Sequence, residues 1–367
     1  ISYSANFSWQ STAKDINMAG IDGLEYTVAA QENRKAAMPA GGFWRVDRSS
    51  LEKIREWQAK YGGTIGATDP IVYNRDWYFD GTNKFGYRIY DPQEVMIRDW
   101  APSQTHNLSL NGRSGRTSFN IGLGLVDQNG MMKQANYDDF KRYNASVNVA
   151  TDINKYLTVH GGAIYSDRTK RYPSMGSETA DPWLYVYRWS KLSPIGVTEN
   201  GNPLRDPAFE TANTGLSSIQ NKYYNVNLGA TVNFTKDWNL QFDYTYYNQQ
   251  DISNIAMPSF YAGQTWYSPV AWNDNNGNRI FVDDEGNITT EGGTAAYQFP
   301  MAEYFSNTTS SYISRKSRST DNNVFNVYST YNLKLGNEDK HVFKFMVGMN
   351  RITQKWAEHT AQKTDLI

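Results

Sequence analysis

The chain has 367 residues and a formal net charge of −1, from 36 lysine and arginine residues against 37 aspartate and glutamate residues. This balance provides no clustered positive field for phosphates, so we expect no nucleic-acid partner. Cysteine is absent, which excludes disulfides, thiolate catalysis and cysteine-bound zinc.

Aromatic residues make up 14% of the chain, which is typical of proteins with many positions between an apolar and a wet environment. No run of apolar residues approaches the roughly 18 that a transmembrane helix needs. The chain opens with Ile1-Ser2-Tyr3 and has no basic segment of a signal peptide. If the protein is exported, we expect this N-terminus not to be the original one.

In chain order, apolar and polar residues alternate in nine segments. The first places Tyr3, Phe7 and Trp9 between serine, asparagine and glutamine residues, and the clearest ones run from Tyr224 to Tyr246. Residues two apart share one face of a strand, so each segment has an apolar and a polar face. We predict strands near 1–12, 104–112, 116–126, 141–152, 156–168, 222–235, 238–250, 322–335 and 341–354.

The connections between these strands alternate strictly between short and long. The short ones are Gly112 to Gly115, Ile153 to Lys155, Lys236-Asp237 and Gly336 to Lys340, and the long ones are 13–103, 127–140, 169–221 and 251–321. Short turns at one end and long loops at the other are typical of outer-membrane barrels. The strands also match the roughly 9–11 residues that cross a bilayer on a tilt. We predict an all-β fold, an antiparallel transmembrane β-barrel segment with long extracellular loops.

Nine strands leave two open edges in this sheet. In lipid, each unpaired backbone group at an edge costs several kcal/mol. We therefore expect the chain, residues 1–367, to be part of a longer barrel.

Two short helices are predicted in the long loops. Ser49 and Glu52 form a capping-box signature, and a helix continues from Lys53 to Lys60 before Gly62-Gly63. The second runs from Asp181 to Trp189, beginning at a proline.

Several motifs carry a resemblance to a known family. They are His106-Asn107-Leu108-Ser109-Leu110-Asn111-Gly112, Thr117-Ser118-Phe119, Gly122-Leu123-Gly124, Asp127-Gln128-Asn129-Gly130 and Phe140-Lys141-Arg142-Tyr143-Asn144. This pattern resembles the SusC/RagA-type TonB-dependent transporters of the outer membrane. The resemblance covers most of the chain, and its specific part is 104–165.

The resemblance implies a barrel of about 22 strands, closed by an N-terminal plug. It also implies a SusD-like lipoprotein lid, energy supplied by TonB, and import of a glycan or an oligopeptide across the outer membrane of a Gram-negative cell. We favour a glycan. The plug domain, the TonB box and the later half of the barrel have no counterpart in this sequence, so these functions would belong to a longer parent protein.

No catalytic group is evident. The four histidines, His106, His160, His341 and His359, are scattered and lack metal spacing. The acidic pairs Asp138-Asp139 and Asp283-Asp284-Glu285 lie in predicted loops, where carboxylates usually face solvent. We expect no enzymatic activity and no cofactor.

One loop has the spacing of a calcium site. Asp274, Asn276, Asn278 and Glu285 stand at offsets 1, 3, 5 and 12, as in an EF-hand. Position 6 is Arg279 instead of glycine, and no helices flank the segment. A turn-rich loop is therefore the favoured interpretation, with Ca²⁺ as the candidate ion if one binds.

Aromatic residues are concentrated in the long loops. They are Trp77, Tyr78, Tyr87, Trp183, Tyr185, Tyr187, Trp189, Trp266, Tyr267 and Trp272. One hypothesis is that they stack on sugar rings or contact a lid protein. The favoured alternative is that they anchor the loops to one another.

Two further classes of protein stay open from the sequence. One is a passive or structural outer-membrane barrel, such as a porin or an adhesin, and the other is a soluble extracellular carbohydrate-binding β protein. A plug and a TonB box encoded upstream would separate an importer from a passive barrel. Heat-modifiable migration and extraction only by detergent would exclude the soluble protein.

Overall fold

The computed structural model describes residues 1–12, 20–34, 44–174, 183, 186, 189–305, 310–336 and 341–364. In these ranges the chain is predominantly β, with a few short helices. None of the described helices is long and apolar enough to cross a membrane.

The elements are numbered in chain order. The strands are β1 (Ser2–Gln10), β2 (Trp44–Arg45), β3 (Trp77–Phe79), β4 (Lys84–Gly86), β5 (Ala101–Ser114), β6 (Thr117–Asn129), β7 (Asp139–Asp152), β8 (Leu157–Pro173), β9 (Leu216–Asn233), β10 (Trp238–Met257), β11 (Ser259–Gly263), β12 (Val270–Ala271), β13 (Phe281–Val282), β14 (Ile288–Thr289), β15 (Thr294–Ala295), β16 (Tyr297–Gln298), β17 (Met301–Phe305), β18 (Tyr312–Leu335) and β19 (His341–Thr364). The helices are α1 (Ile21–Arg34), α2 (Arg48–Tyr61), α3 (Pro92–Met96) and α4 (Pro207–Asn213).

Nine long strands form one antiparallel sheet in the order β1-β5-β6-β7-β8-β9-β10-β18-β19. Each of them overlaps one of the nine alternating segments predicted from the sequence. Several are longer than predicted, and β18 and β19 have 24 residues each. The sheet is open, because β1 pairs only with β5 and β19 only with β18. A closed barrel therefore stays a prediction.

The register gives the sheet two chemically different faces. Leu110, Ile121, Val147, Ala163 and Val226 lie opposite one another across five strands, on what we call the apolar face. The adjacent row on the other side, which we call the polar face, consists of Asn111, Asn120, Asn148, Gly162 and Asn227. Directly opposed residues of an antiparallel pair share a face, so the alternation along each strand becomes a continuous surface.

The asparagine row contains one glycine, Gly162, because a larger residue would not fit at this position. A Cβ atom at Gly162 would lie 2.4 Å from the Asn148 side-chain oxygen and 2.6 Å from that of Asn227. The two amides therefore approach each other over a residue without a side chain.

The apolar face is exposed. The Leu228 side chain is 58% exposed and that of Val347 is 78% exposed. The main cluster of buried hydrophobic residues lies elsewhere, and in the described ranges all of its members come from the connections between the nine long strands. No described layer of protein therefore covers the apolar face of the sheet.

The four long connections pack into a single unit, which we call the loop cap (described residues of 11–100, 130–138, 174–215 and 258–311). Its core combines Leu51, Met132, Leu204 and Phe299, one from each connection. The ring of Trp77 stacks on that of Phe299 with centroids 4.3 Å apart, joining the first and the fourth connection. Successive strands of this antiparallel sheet are joined at alternate ends, and long connections alternate with short turns. All four long connections therefore leave the sheet at the same end.

Helix α2 organises one side of the loop cap, and its start differs from the prediction. Asp47 is the N-cap: its carboxylate accepts from the Ser50 backbone N–H at 2.8 Å, and the Ser50 hydroxyl accepts from the Asp47 backbone N–H at 2.8 Å. The box predicted at Ser49 and Glu52 is therefore wrong, because the extended residue before the first turn is Asp47. The helix predicted at 181–189 falls largely outside the described residues.

Candidate functional site

A groove of about 440 Å³ lies in the loop cap between α2 and the fourth long connection. Its walls come from residues that are far apart in the sequence. They are Lys53, Glu56, Trp57, Lys60, Tyr61, Asn74, Arg75, Tyr78, Tyr87, Asp284, Glu285 and Thr294.

Helix α2 forms one wall of this groove. Leu51, Ile54 and Trp57 form the buried side of the helix, and Lys53 and Lys60 border the groove together with the edge of Trp57. This division follows from the helical repeat, which places residues three or four apart on the same side.

A buried carboxylate fixes the floor beneath Trp57. Asp76 is 1% exposed and accepts hydrogen bonds from the Trp57 Nε1–H at 2.8 Å and the Val72 backbone N–H at 2.9 Å. The guanidinium of Arg75 binds the same carboxylate through two nitrogens, at 2.9 and 2.8 Å. A buried charge needs such partners, so Asp76 holds Trp57 and Arg75 in fixed positions.

The far end of the groove is bridged by Glu285, whose carboxylate contacts Lys60 Nζ and the Tyr61 hydroxyl. The hydrogen bond from Lys60 is the largest cause of the lowered pKa of Glu285, followed by that from Tyr61. The pKa of the Tyr61 hydroxyl is raised, first by burial and then by its hydrogen bond to Glu285. The amide of Asn74 adds a second link by donating to the Asp283 carbonyl at 2.9 Å.

Two half-buried tyrosines, Tyr78 and Tyr87, also line the groove. The ring of Tyr78 lies 6.2 Å from that of the buried Tyr73. Burial raises the pKa of Tyr87 to about 12. Both side chains therefore offer an apolar ring together with a polar hydroxyl.

The aromatic residues singled out in the long loops lie in different environments in the structure. Tyr78 and Tyr87 line the groove, and their contact with a ligand stays a prediction. Trp77 and Trp272, only 2% and 8% exposed, belong to the core, which agrees with the favoured interpretation that loop aromatics anchor the connections to one another. Their rings fill space between the connections, where an apolar contact stabilises more than exposure to water does.

The other predicted aromatics that the structure describes do not line the groove. Trp189 is buried and packs edge to face against the exposed Trp266, with centroids 5.5 Å apart. Trp183 packs against the core, and Tyr267 is exposed. Tyr185 and Tyr187 lie outside the described residues.

Asp274 and Glu285, the first and last residues of the calcium-like spacing, make separate contacts in the structure. The Asp274 carboxylate accepts from the backbone N–H groups of Asn276 and Asn278, at 2.9 and 2.8 Å. Glu285 instead contacts Lys60 and Tyr61. In the described ranges, no three acidic or histidine side chains are grouped so that they could hold a metal ion.

The spacing reflects two similar turns. Asp283 accepts from the backbone N–H groups of Glu285 and Asn287, each at 2.9 Å, as Asp274 does from residues two and four positions later. Aspartate readily closes such turns through its own side chain. The turn-rich alternative describes this segment better than an ion-binding loop.

The polar face of the sheet contains one imidazole–carboxylate pair. His160 Nε2 lies 2.9 Å from Asp243 Oδ1, although a whole strand separates them. Gly229 occupies the intervening position, and a Cβ atom there would lie 2.3 Å from His160 Nε2. Among the other histidines, His106 forms a hydrogen bond on the apolar face, where its Nδ1 lies 2.7 Å from the Tyr3 hydroxyl.

Trp57, Lys60, Tyr61 and Glu285 line the groove but were not predicted from the sequence as groove residues. A partial signal was present, because Trp57 and Lys60 stand three apart in the predicted helix and so share one side of it, while Tyr61 lies just beyond its predicted end. Nothing local connects that helix to Glu285, which lies 225 positions after Lys60.

No protein-family model and no curated protein sequence matches this chain significantly. Solved structures do match it. A structure of the RagAB peptide transporter is similar over 99% of this chain and 36% of the matched chain, with a TM-score of 0.56 and 15% identity. The RagAB peptide importer in its open-open state gives a TM-score of 0.55, and in its closed-closed state 0.52, each with 16% identity over 99% of this chain and 35% of that chain.

The chain thus spans about a third of the length of the transporter chains it matches. At this identity, the similarity establishes the fold and not the substrate. Almost the whole of this chain shares its fold with part of the matched RagAB chains.

Proposed function

We propose that the chain forms part of the wall and the extracellular loop cap of a SusC/RagA-type outer-membrane importer. The parent protein takes up a bulky nutrient without an enzymatic step. An oligosaccharide is the favoured substrate and an oligopeptide the alternative.

The exposed apolar face of the sheet carries this proposal. A soluble protein buries such a surface, because each Å² of apolar area removed from water stabilises the fold by roughly 25 cal/mol. Here the core lies in the loop cap, and no described element packs on the apolar face. A bilayer is the environment that removes this face from water without a second protein layer.

The height of the apolar band fits the same environment. In β9 the apolar face runs from Tyr224 through Leu228 to Val232, and it is flanked by Phe234 and Trp238 at the short-turn end. Nine residues from Tyr224 to Val232 match the roughly 9–11 that a tilted strand needs to cross hydrocarbon. The aromatic residues at the boundary correspond to the girdle of a membrane barrel.

The open edges at β1 and β19 require further strands, because lipid leaves unpaired backbone groups unsatisfied. We propose that the parent protein supplies these strands, about 22 in total, together with the plug. TonB energises the importer through that plug, and a SusD-like surface lipoprotein covers the loop cap. The RagAB matches support this arrangement at the level of the fold.

The test uses the full-length parent protein in its native outer membrane. We expect detergent-dependent extraction, heat-modifiable migration on a gel, and nutrient uptake that stops when TonB is deleted. Uptake that continues without TonB would instead indicate a passive barrel. Recovery of the folded protein in a soluble fraction would overturn the membrane assignment.

A further inference from the structure

Strand β19 carries two basic side chains at the border of the apolar face. We infer that Arg351 and Lys355, with Thr353 between them, bind the phosphate of an outer-leaflet lipid head group. These three residues are called the basic strip. This inference rests on the proposed function and adds a lipid-binding site to it.

The register places the basic strip on the same side of the sheet as the apolar face. In β19 the side chains on this side are, in order, Phe343, Phe345, Val347, Met349, Arg351, Thr353 and Lys355. Residues two apart in a strand share one face. Arg351 lies opposite Phe325 of β18, which lies opposite Tyr244 of β10. The basic strip therefore continues the surface that we assign to the bilayer.

The position along β19 puts the basic strip at the border of the hydrocarbon. Counted from Phe343, the roughly 9–11 residues that cross a bilayer on a tilt end between Arg351 and Thr353. The strand runs from a short turn toward the end of the sheet that carries the loop cap. In membrane barrels the long loops are extracellular, so this border faces the outer leaflet.

Tyrosine side chains on the neighbouring strands mark the same border. Thr353 lies opposite Asn323, which lies opposite Tyr246. The row of Lys355 continues through β18 and β10 to Tyr224, whose ring centroid is 6.0 Å from that of Tyr246. Tyrosine is enriched at membrane–water interfaces, where the lipid head groups lie.

The positive charge of the basic strip is not balanced. Arg351 and Lys355 are exposed, and neither forms an ion pair with another described residue. Asp321 lies opposite Lys355. Its carboxylate accepts hydrogen bonds from the Tyr246 hydroxyl and the Asn248 amide, each at 2.7 Å. Two cations against one carboxylate leave a net positive charge at the level of the head groups.

Other cations on the same side of the sheet are already paired. Lys141 lies two residues beyond Tyr143 toward the loop cap, and its Nζ is 3.1 Å from the Asp127 carboxylate. Arg171 of β8 contacts Asp139. These two cations are neutralised within the protein, whereas those of the basic strip are available to an external anion.

The donors of the basic strip suit a phosphate group. Side chains two apart in a strand are about 6–7 Å from each other, so the long arms of Arg351 and Lys355 reach a group held over Thr353. A guanidinium binds phosphate through two parallel hydrogen bonds, an ammonium adds a point charge, and a hydroxyl adds a donor. The acyl chains of the same lipid would lie along Met349 and Val347, which are 59% and 78% exposed.

The experiment measures lipid binding to the full-length parent protein in a nonionic detergent by native mass spectrometry. The probes are dioleoyl phosphatidic acid, dioleoylglycerol, which has the same chains without the phosphate, and inorganic phosphate. We expect phosphatidic acid to bind, with an affinity reduced about fivefold in Arg351→Gln and in Lys355→Gln, and about thirtyfold in the double variant.

Two control variants make the same change of charge elsewhere. Lys141→Gln removes a cation that is already paired on the same side of the sheet. Lys344→Gln removes a cation from the polar face of β19. Both should bind phosphatidic acid like the wild type, and heat-modifiable migration of each variant shows that it has folded.

Equal affinity of the wild type and the double variant for phosphatidic acid would overturn the inference. Equally tight binding of dioleoylglycerol, or no binding of phosphatidic acid to the wild type, would do the same. Displacement of phosphatidic acid by an equal concentration of inorganic phosphate would assign the site to free phosphate and overturn the lipid assignment. All these outcomes leave TonB-dependent uptake intact, whereas a parent protein recovered in a soluble fraction refutes the proposed function itself.

Discussion

A lysine placed in the middle of the apolar face should destabilise the parent barrel strongly. Leu228 is the central residue of the β9 apolar stripe from Tyr224 to Val232, and it lies opposite Gly161 and Tyr244 on the neighbouring strands. Lysine at the midplane of a bilayer costs about 2–4 kcal/mol, and near the interface about 0–1 kcal/mol. We therefore expect Leu228→Lys to lower the folding equilibrium constant roughly 30- to 700-fold.

The same substitution has a very different cost if water covers this face. The Leu228 side chain is 58% exposed, and an exposed surface substitution usually changes stability by at most about 0.5 kcal/mol. The control is Asn227→Lys, one residue earlier and on the polar face. Tyr224→Lys, at the end of the stripe, should lie between the two because the penalty depends on depth.

The assay is guanidinium unfolding of the parent protein refolded into lipid vesicles, with the folded fraction read from heat-modifiable migration. Equal effects of Leu228→Lys and Asn227→Lys would refute the placement of the apolar face in a bilayer. A larger effect of Tyr224→Lys than of Leu228→Lys would refute it as well.

Three further predictions concern single interactions. Gly229→Ala should destabilise the sheet by about 1–3 kcal/mol, because its Cβ atom would overlap the imidazole–carboxylate pair that crosses it; Gly124→Ala, with its nearest atom 3.3 Å away, should cost less in the same unfolding assay. Asp47→Ala should destabilise the loop cap by about 0.5–2 kcal/mol, because it removes the N-cap of α2. Ser49→Ala should destabilise it much less, and resistance to limited proteolysis measures both effects. A larger effect of Ser49→Ala would support the N-cap predicted from the sequence. Burial raises the pKa of Glu199 to about 7, so the folded state binds a proton that the unfolded state releases above about 4.5. Burial likewise raises the pKa of Asp206, in the same loop cap, to about 7. The loop cap should therefore lose stability as the pH rises from about 4.5 through 7, and Glu199→Gln should make this loss smaller without abolishing it. A wild-type stability that rises over this range would refute the prediction.

Much of the sheet could be predicted from the sequence, because its signal is local. Alternation with period two fixes which side chains share a face, whatever the rest of the chain does. All nine segments found in this way overlap strands of the sheet, from Tyr3 in β1 to Met349 in β19. The sorting of short and long connections is visible for the same reason, since it requires only the strand positions.

The candidate site was predictable only in part. Tyr78 and Tyr87 were singled out with Trp77 and Trp272, yet the first pair borders the groove and the second is buried. An aromatic residue in a loop carries no periodic signal of its burial, which depends on which other loop packs against it. Trp77 is buried because Phe299 stacks on it from a different connection.

The sequence by itself determined the strands, their faces and the end of the sheet at which the long loops gather, because each follows from neighbouring residues and backbone geometry. Only the tertiary structure decided that the four loops share one core, that Asp47 caps α2, and that Lys60 meets Glu285 across the groove. These features depend on contacts between distant parts of the chain. Their free energy is set by packing and burial, and no local pattern of residues records it.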